Sequence, residues 1–102
     1  MLEHDFQNYV RKELSKLGYI TFRANVGKIK MADGRWFDTG LPKGFSDLMI
    51  LKNGILNFAE LKTINGKPSK DQLNFINQMI KNGFNAGIAR NMDDIFKIIG
   101  GT

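Results

Sequence analysis

The sequence predicts an α/β chain built on a central mixed β-sheet flanked by α-helices. Three observations carry this. Asn53-Gly54 stands between two strand-like runs, LMILK and ILNFAELK, and such a pair is the residue choice of a tight hairpin, whose two central residues both need positive φ. The order after Glu60 is strand, helix, strand, which requires a parallel pair with a right-handed crossover. At the front of the chain, Leu2, Phe6, Val10, Leu14 and Leu17 recur at the spacing of one helix face.

Taken in order, residues 3–17 read as a helix that Gly18 stops, and Tyr19–Ala24 has strand character. Lys28–Asp38 reads as a second hairpin around Asp33-Gly34. Residues 39–44 (TGLPKG) form a loop broken by Gly40, Pro42 and Gly44. The hairpin at Asn53-Gly54 follows, and then the turn Asn65-Gly66-Lys67-Pro68. Ser69 caps a helix of about fourteen residues, with Leu73, Phe75, Ile76, Met79 and Ile80 on its apolar side. Gly83 ends that helix, Asn85–Arg90 is a short strand, and a last helix runs from about Met92 to Ile99. The expected order is α-β-β-β-β-β-α-β-α.

The 102 residues suit one domain, 1–102, with a single core. No apolar run approaches the eighteen or so residues of a membrane span, so no membrane association is expected. The charged start (Glu3, His4, Asp5) is not that of a signal peptide. The absence of cysteine rules out disulfides and thiolate chemistry and fits a reducing, cytoplasmic setting. The net charge of +5, with five of the fifteen basic residues between Arg23 and Lys43, points to a polyanionic partner as readily as to a plain solvated surface.

The chemistry is concentrated at the Asn53-Gly54 hairpin. With those residues at the turn, Lys52 pairs with Ile55, Ile50 with Asn57 and Met49 with Phe58, and two further steps set Asp47 opposite Glu60. Directly opposed side chains are about 4.5–5.5 Å apart at Cβ. Two unit charges 5 Å apart at an effective dielectric near 20 repel by roughly 3 kcal/mol, and a cation between them removes that cost. Lys62 shares the face of Glu60, because side chains alternate along a strand. Two acids and a lysine in this arrangement suit metal-dependent phosphodiester hydrolysis, in which a divalent ion held by carboxylates activates water and offsets phosphate charge. Lys62 would orient the water or stabilise developing negative charge. The Leu61 side chain points to the core, leaving its carbonyl to reach the metal.

Two further residues bear on the site. Glu3 falls inside the apolar arc of the first helix, where an acid must be paired or bound to metal unless it serves the helix dipole from a wet first turn; a third acid for the cluster is the favoured reading. Gln72 closes a capping box with Ser69, yet its direction also aims it at the site.

These motifs together resemble the VRR-NUC family (virus-type replication-repair nucleases) of the PD-(D/E)XK, restriction-endonuclease-like superfamily. The resemblance spans nearly the whole chain. It rests on Glu3 followed by Gln7, RANVG at 23–27, GLPKGFSD at 40–47, AELK at 59–62, and Gln72 after the capping serine. Ser46 departs from the pattern, standing where the superfamily often has proline. The resemblance implies a restriction-endonuclease-like core and a Mg²⁺- or Mn²⁺-dependent endonuclease. Glu3, Asp47, Glu60 and the Leu61 carbonyl would serve the metal, Lys62 would be catalytic, and Gln72 would support it. Compact members of this kind, many of them phage-borne and so acting in a host cytoplasm, resemble Holliday-junction resolvases of DNA repair: homodimers that cut branched or four-way-junction DNA, with two-fold symmetry supplying the two cuts.

Arg23, Lys28, Lys30, Arg35 and Lys43 are the expected phosphate contacts, and Asn25 is expected near the scissile strand. Trp36 and Phe37 are expected in the core or an interface rather than stacked on bases. The competing readings are a non-catalytic branched-DNA-binding module on the same fold and, more remotely, a basic structural protein.

Overall fold

The structure is a computed structural model and describes residues 2–100. Its elements are α1 (Glu3–Lys16), β1 (Ile20–Arg23), β2 (Lys28–Lys30), β3 (Trp36–Asp38), β4 (Leu48–Lys52), β5 (Ile55–Leu61), α2 (Lys70–Lys81), β6 (Asn85–Ala89) and α3 (Met92–Ile99). Every expected element is present in the expected order.

The strands form two sheets. The larger has the order β1-β4-β5-β6, and β2 and β3 pair only with each other. β4 lies between β1 and β5 and is antiparallel to both. β6 lies parallel to β5, as the intervening helix requires. The large sheet is therefore mixed, with β5 near its centre.

Local chemistry explains the element ends. α1 closes in a Schellman motif: the Gly18 and Tyr19 amides donate to the Ser15 and Leu14 carbonyls at 3.1 and 3.0 Å, and Gly18 has the positive φ of 85° that the motif needs. The β4–β5 turn has φ of 53° at Asn53 and 78° at Gly54, both positive as a type I′ turn demands. The ladder then runs as the turn dictates, from Lys52↔Ile55 to Leu48↔Ala59.

The sheet separates two apolar layers. On one face Phe6, Val10 and Leu14 of α1 and Ile95 and Ile98 of α3 pack on Leu48, Ile50, Ala59, Leu61 and Ala89. A Cβ on Gly87 would come within 2.9 Å of Ile98, so only glycine lets α3 approach β6 this closely. On the other face α2 covers the sheet through an aromatic cluster. Phe75 lies 4.6 Å from Phe45 and 5.6 Å from Phe58, ring centre to ring centre, and Phe84 lies 5.5 Å from Phe58. Buried Asn57, in the first layer, is satisfied: it donates to the Ile50 carbonyl and accepts from Asn85. Among the described residues no helix is long and apolar enough to cross a membrane.

Several sequence expectations are corrected. Leu2 and Leu17 recur at the helical period but are exposed, because α1 ends at Lys16 and they are its two cap residues; Leu73 and Ile80 of α2 are exposed as well. α2 has 12 residues, shorter than expected. Trp36 and Phe37 are not in the core: they are 65% and 57% exposed. The strands β2 and β3 carry charges on a segment with no second apolar layer to meet, so they form an outlying hairpin rather than further strands of the large sheet.

Candidate active site

The site is built where the β4–β5 ladder ends. The last rung is Leu48↔Ala59, so the next residues on the α2 face are Asp47 and Glu60. Beyond that rung the Leu61 amide donates to Asp47 Oδ2 at 2.9 Å, and a carboxylate takes the place of a strand carbonyl. The Asp47 backbone carbonyl accepts from the Ala24 amide at 2.9 Å, tying the end of β1 to the same point.

Glu60 lies beneath the surface at 1% exposure. Gln72 Nε2 donates to Glu60 Oε1 at 2.8 Å, and Lys62 Nζ stands 3.6 Å from the same oxygen. Glu60 Oε2 is buried without a hydrogen-bond partner. Desolvation by burial pushes the Glu60 carboxyl up to about 8; the charge and side-chain hydrogen bond of Asp47 push the same way, and the Lys62 charge opposes them. Two adjacent carboxyl groups beside apolar side chains cannot both ionise cheaply. The Glu60 carboxyl therefore keeps its proton up to about pH 8.

Both readings of Gln72 hold at once. Gln72 Oε1 accepts from the Ser69 amide at 2.8 Å, and the Gln72 amide donates to Ser69 Oγ at 3.1 Å, closing the capping box. That bond fixes the amide's orientation, so the NH₂ group faces Glu60. The helix N-terminus thus holds a donor rigidly against the buried acid. Gly44 makes this seat possible. Its φ is +91°, and a Cβ there would lie 2.4 Å from the Asp71 carbonyl oxygen, so only glycine lets the 39–46 loop close on the first turn of α2.

An open cleft of about 500 Å³ adjoins the cluster, lined by Asp47 and Gln72 with Glu3, Arg23, Asn25 and Lys43 among others, while Glu60 and Lys62 are not part of its lining. The structure therefore brings Asp47, Glu60, Lys62 and Gln72 into one cluster, and Leu61 joins through its backbone. Glu3 stands on the cleft wall but is exposed, not buried against the other acids. Among the described residues no three acids or histidines gather closely enough to hold a metal ion. Of the expected DNA contacts, Arg23, Asn25 and Lys43 line the cleft, and Lys43 also pairs with Asp71 at 3.6 Å. Lys28, Lys30 and Arg35 sit on the outlying β2–β3 hairpin, where the Arg35 guanidinium is held 2.7 Å from Asp33.

Sequence reasoning missed Phe45, which lines the cleft beside Asp47, and Phe84, which extends the aromatic cluster at Phe58. Neither lies in a regular element, so periodicity carries no sign of them. It also missed Arg90, whose guanidinium donates to the Thr63 carbonyl and braces the chain just after Lys62; the sole signal was a cation at the end of a strand.

The donor set fits a hard divalent cation. An orphaned buried carboxylate oxygen and a second carboxylate beside it, with no soft ligand near, suit Mg²⁺ or Mn²⁺, and Mg²⁺ commonly takes only one or two carboxylates together with waters and phosphate oxygens.

A mixed sheet with helices on both faces and an acid pair with a lysine at the end of its central hairpin defines a restriction-endonuclease-like α/β fold. A solved structure titled "VRR_NUC domain" superposes on the chain with a TM-score of 0.68 and 25% sequence identity, covering 96% of this chain and 94% of that one. The resemblance drawn from the sequence motifs is borne out: the likeness supports placing the chain in the VRR-NUC family, and it carries a nuclease-domain fold. No family model and no curated protein matches the chain.

Proposed function

We propose that residues 1–102 form a single VRR-NUC domain acting as a divalent-metal-dependent, structure-selective endodeoxyribonuclease that hydrolyses phosphodiester bonds in branched DNA. The reading rests on one observation above all: a buried glutamate with a free oxygen, set beside a second carboxylate, with a lysine in reach and Arg23 and Lys43 on the wall of the adjoining cleft.

Asp47 and Glu60 would hold Mg²⁺ or Mn²⁺, with the Leu61 carbonyl as a third donor and Glu3 reaching in from the cleft wall. When bound, the metal supplies Lewis-acid activation of the phosphate and of an attacking water. The protein's own groups do the rest. Gln72, locked by its capping box, holds Glu60 in one rotamer and leaves Oε2 free. Lys62, only 14% exposed, stays close to the acids, where its positive charge offsets charge that builds on the phosphate. Arg23 and Lys43 hold the backbone phosphates of the substrate at the cleft, and Asn25 lies beside the strand to be cut. These contacts read shape and charge rather than base sequence.

A homodimer acting on four-way junctions in the cytoplasm follows from the family resemblance and from symmetry, since one domain offers one centre and a junction needs two matched cuts. The test is incubation of labelled linear duplex, flap and four-way-junction DNA with Mg²⁺ or Mn²⁺, alongside a solution mass. Metal-dependent cleavage of the branched substrates, lost in Glu60→Ala, is the expected result. Cleavage that persists in Glu60→Ala removes the metal assignment. The second reading, a non-catalytic branched-DNA-binding module, draws on the exposed position of Glu3 and the lack of a three-acid group among the described residues. Tight junction binding without any cutting would favour it.

A further inference from the structure

The β2–β3 hairpin is a surface without a purpose in the chemistry above. Its strands pair only with each other, and all six strand residues are exposed. It is tied together locally: the Met31 amide donates to the Arg35 carbonyl at 2.6 Å, and the Thr39 amide closes its base on the Gly27 carbonyl at 2.9 Å. An isolated two-stranded hairpin is marginal in water, and this one carries exposed Trp36 on one face.

The register separates its two faces. Lys30 pairs with Trp36 and Lys28 with Asp38, so Lys28, Lys30 and Trp36 share one face. Asp38 is occupied by the Gly40 amide at 2.9 Å, and among the described residues neither lysine has an ion-pair partner. This face presents a flat aromatic ring at 65% exposure directly across from Lys30, with Lys28 on the diagonal and Asp38 across from Lys28. The hairpin also continues the cleft: Asn25 and Val26 line the cleft wall, and the arm leaves the body directly after them.

We propose that this arm is a base-stacking element, in which Trp36 stacks on an unpaired DNA base while Lys28 and Lys30 hold the adjoining phosphates. The inference rests on the DNA-processing reading above and extends it from the cleft to a second contact. A ring supplies the stacking surface and flanking cations supply the electrostatic hold, which is the combination that binds unstacked nucleic acid with little regard to sequence. A second copy of the chain is the alternative occupant, which the test below separates from DNA; two lysines against one aspartate on this face favour a polyanion.

Trp36 is the single tryptophan of the chain, so its fluorescence reports on this surface alone. The experiment titrates the full chain, without divalent metal, with oligo-dT, a four-way junction and a blunt duplex, following tryptophan emission and DNA anisotropy together. Emission should be quenched by oligo-dT and by the junction, in step with binding, and much less by the duplex. Trp36→Ala should weaken oligo-dT binding roughly five- to a hundred-fold, and Trp36→Phe should retain much of it. Lys28→Ala and Lys30→Ala should each lower the salt dependence by about one charge. Binding that leaves Trp36 emission unchanged, equal quenching by the duplex, or no DNA binding at all overturns the proposal. So does a concentration-dependent change in Trp36 emission without DNA that vanishes together with dimer mass in Trp36→Ala. Cleavage by the wild type without quenching removes the arm and leaves the nuclease; quenching without cleavage removes the nuclease and leaves the arm.

Discussion

Two hairpins in this chain start from the same local signal and end in opposite environments. Asn53-Gly54 and Asp33-Gly34 each turn the chain back on itself, with positive φ at Gly54 and Gly34. The β4–β5 hairpin becomes the centre of the molecule, buried on both faces for much of β5. The β2–β3 hairpin remains entirely exposed. The difference lies in the flanks: LMILK and ILNFAEL offer apolar side chains to both layers, whereas KIK and WFD put lysines and an aspartate where a second layer would have to pack. A turn decides that two strands pair; the side chains on either face decide whether anything else joins them. The buried hairpin can hold a carboxyl away from water, and the exposed one can offer a ring and free cations.

The sharpest way to probe this contrast is to remove the buried acid. Glu60→Ala is expected to lower metal-dependent cleavage by about a hundredfold or more, since even residues behind metal ligands cost about 10–100-fold, and steady-state cleavage assays measure it. Gln72→Ala comes next. It should cost about 10–100-fold in metal affinity or rate and, separately, destabilise α2 by about 1 kcal/mol through the broken capping box. Ser69→Ala, which breaks the cap without touching Glu60, separates the two effects: it should reproduce the stability loss without the full loss of metal affinity, as read by thermal unfolding and calorimetric metal titration.

The third prediction concerns protons. The Glu60 carboxyl is raised from 4.5 to about 8 in the folded protein, so between those values the native state binds more protons than the unfolded chain. Metal-free stability should therefore fall as pH rises from about 4.5 to about 8 and level off above that. Glu60→Gln should flatten this slope in denaturant titrations repeated across the range. Metal binding at neutral pH should release about one proton, because a coordinating carboxylate must be ionised, and calorimetry in buffers of different ionisation enthalpy counts it. No proton release would remove the assignment of Glu60 as a ligand.

The smallest effect compares the turns directly. Gly54→Ala places a Cβ at positive φ in the central hairpin and should cost about 1–2 kcal/mol of global stability. Gly34→Ala imposes the same backbone strain on the arm but should change global stability by less than about 0.5 kcal/mol, with hydrogen exchange accelerated only in residues 28–38. Equal effects would mean that the arm folds as part of the core.

Much of this was legible in the residues. The pairing of β4 with β5 follows from Asn53-Gly54, and the alternation of side chains then places Glu60 and Lys62 on one face with Asp47 at the end of the ladder. The parallel β5–β6 pair follows from the helix between them. Less legible was which apolar positions would be used. Leu2, Leu17, Leu73 and Ile80 fit their helical periods as well as the buried residues do, yet Leu2 and Leu17 fall at the caps of α1 and Leu73 and Ile80 stay exposed on α2. Glu3 illustrates the same limit: its angular position points to burial, but it stands exposed on the cleft wall.

By itself the sequence determined the register of the central ribbon and the carboxylates that meet at its end, because turn dihedrals and a two-residue side-chain period are set by neighbours in the chain. Tertiary structure alone decided that Gln72 would serve the cap and the buried acid together, that Gly44 would seat the loop against α2, and that Trp36 would face solvent. Each of these depends on how separate elements dock, and docking is governed by the summed packing of residues far apart in sequence, which no local pattern encodes.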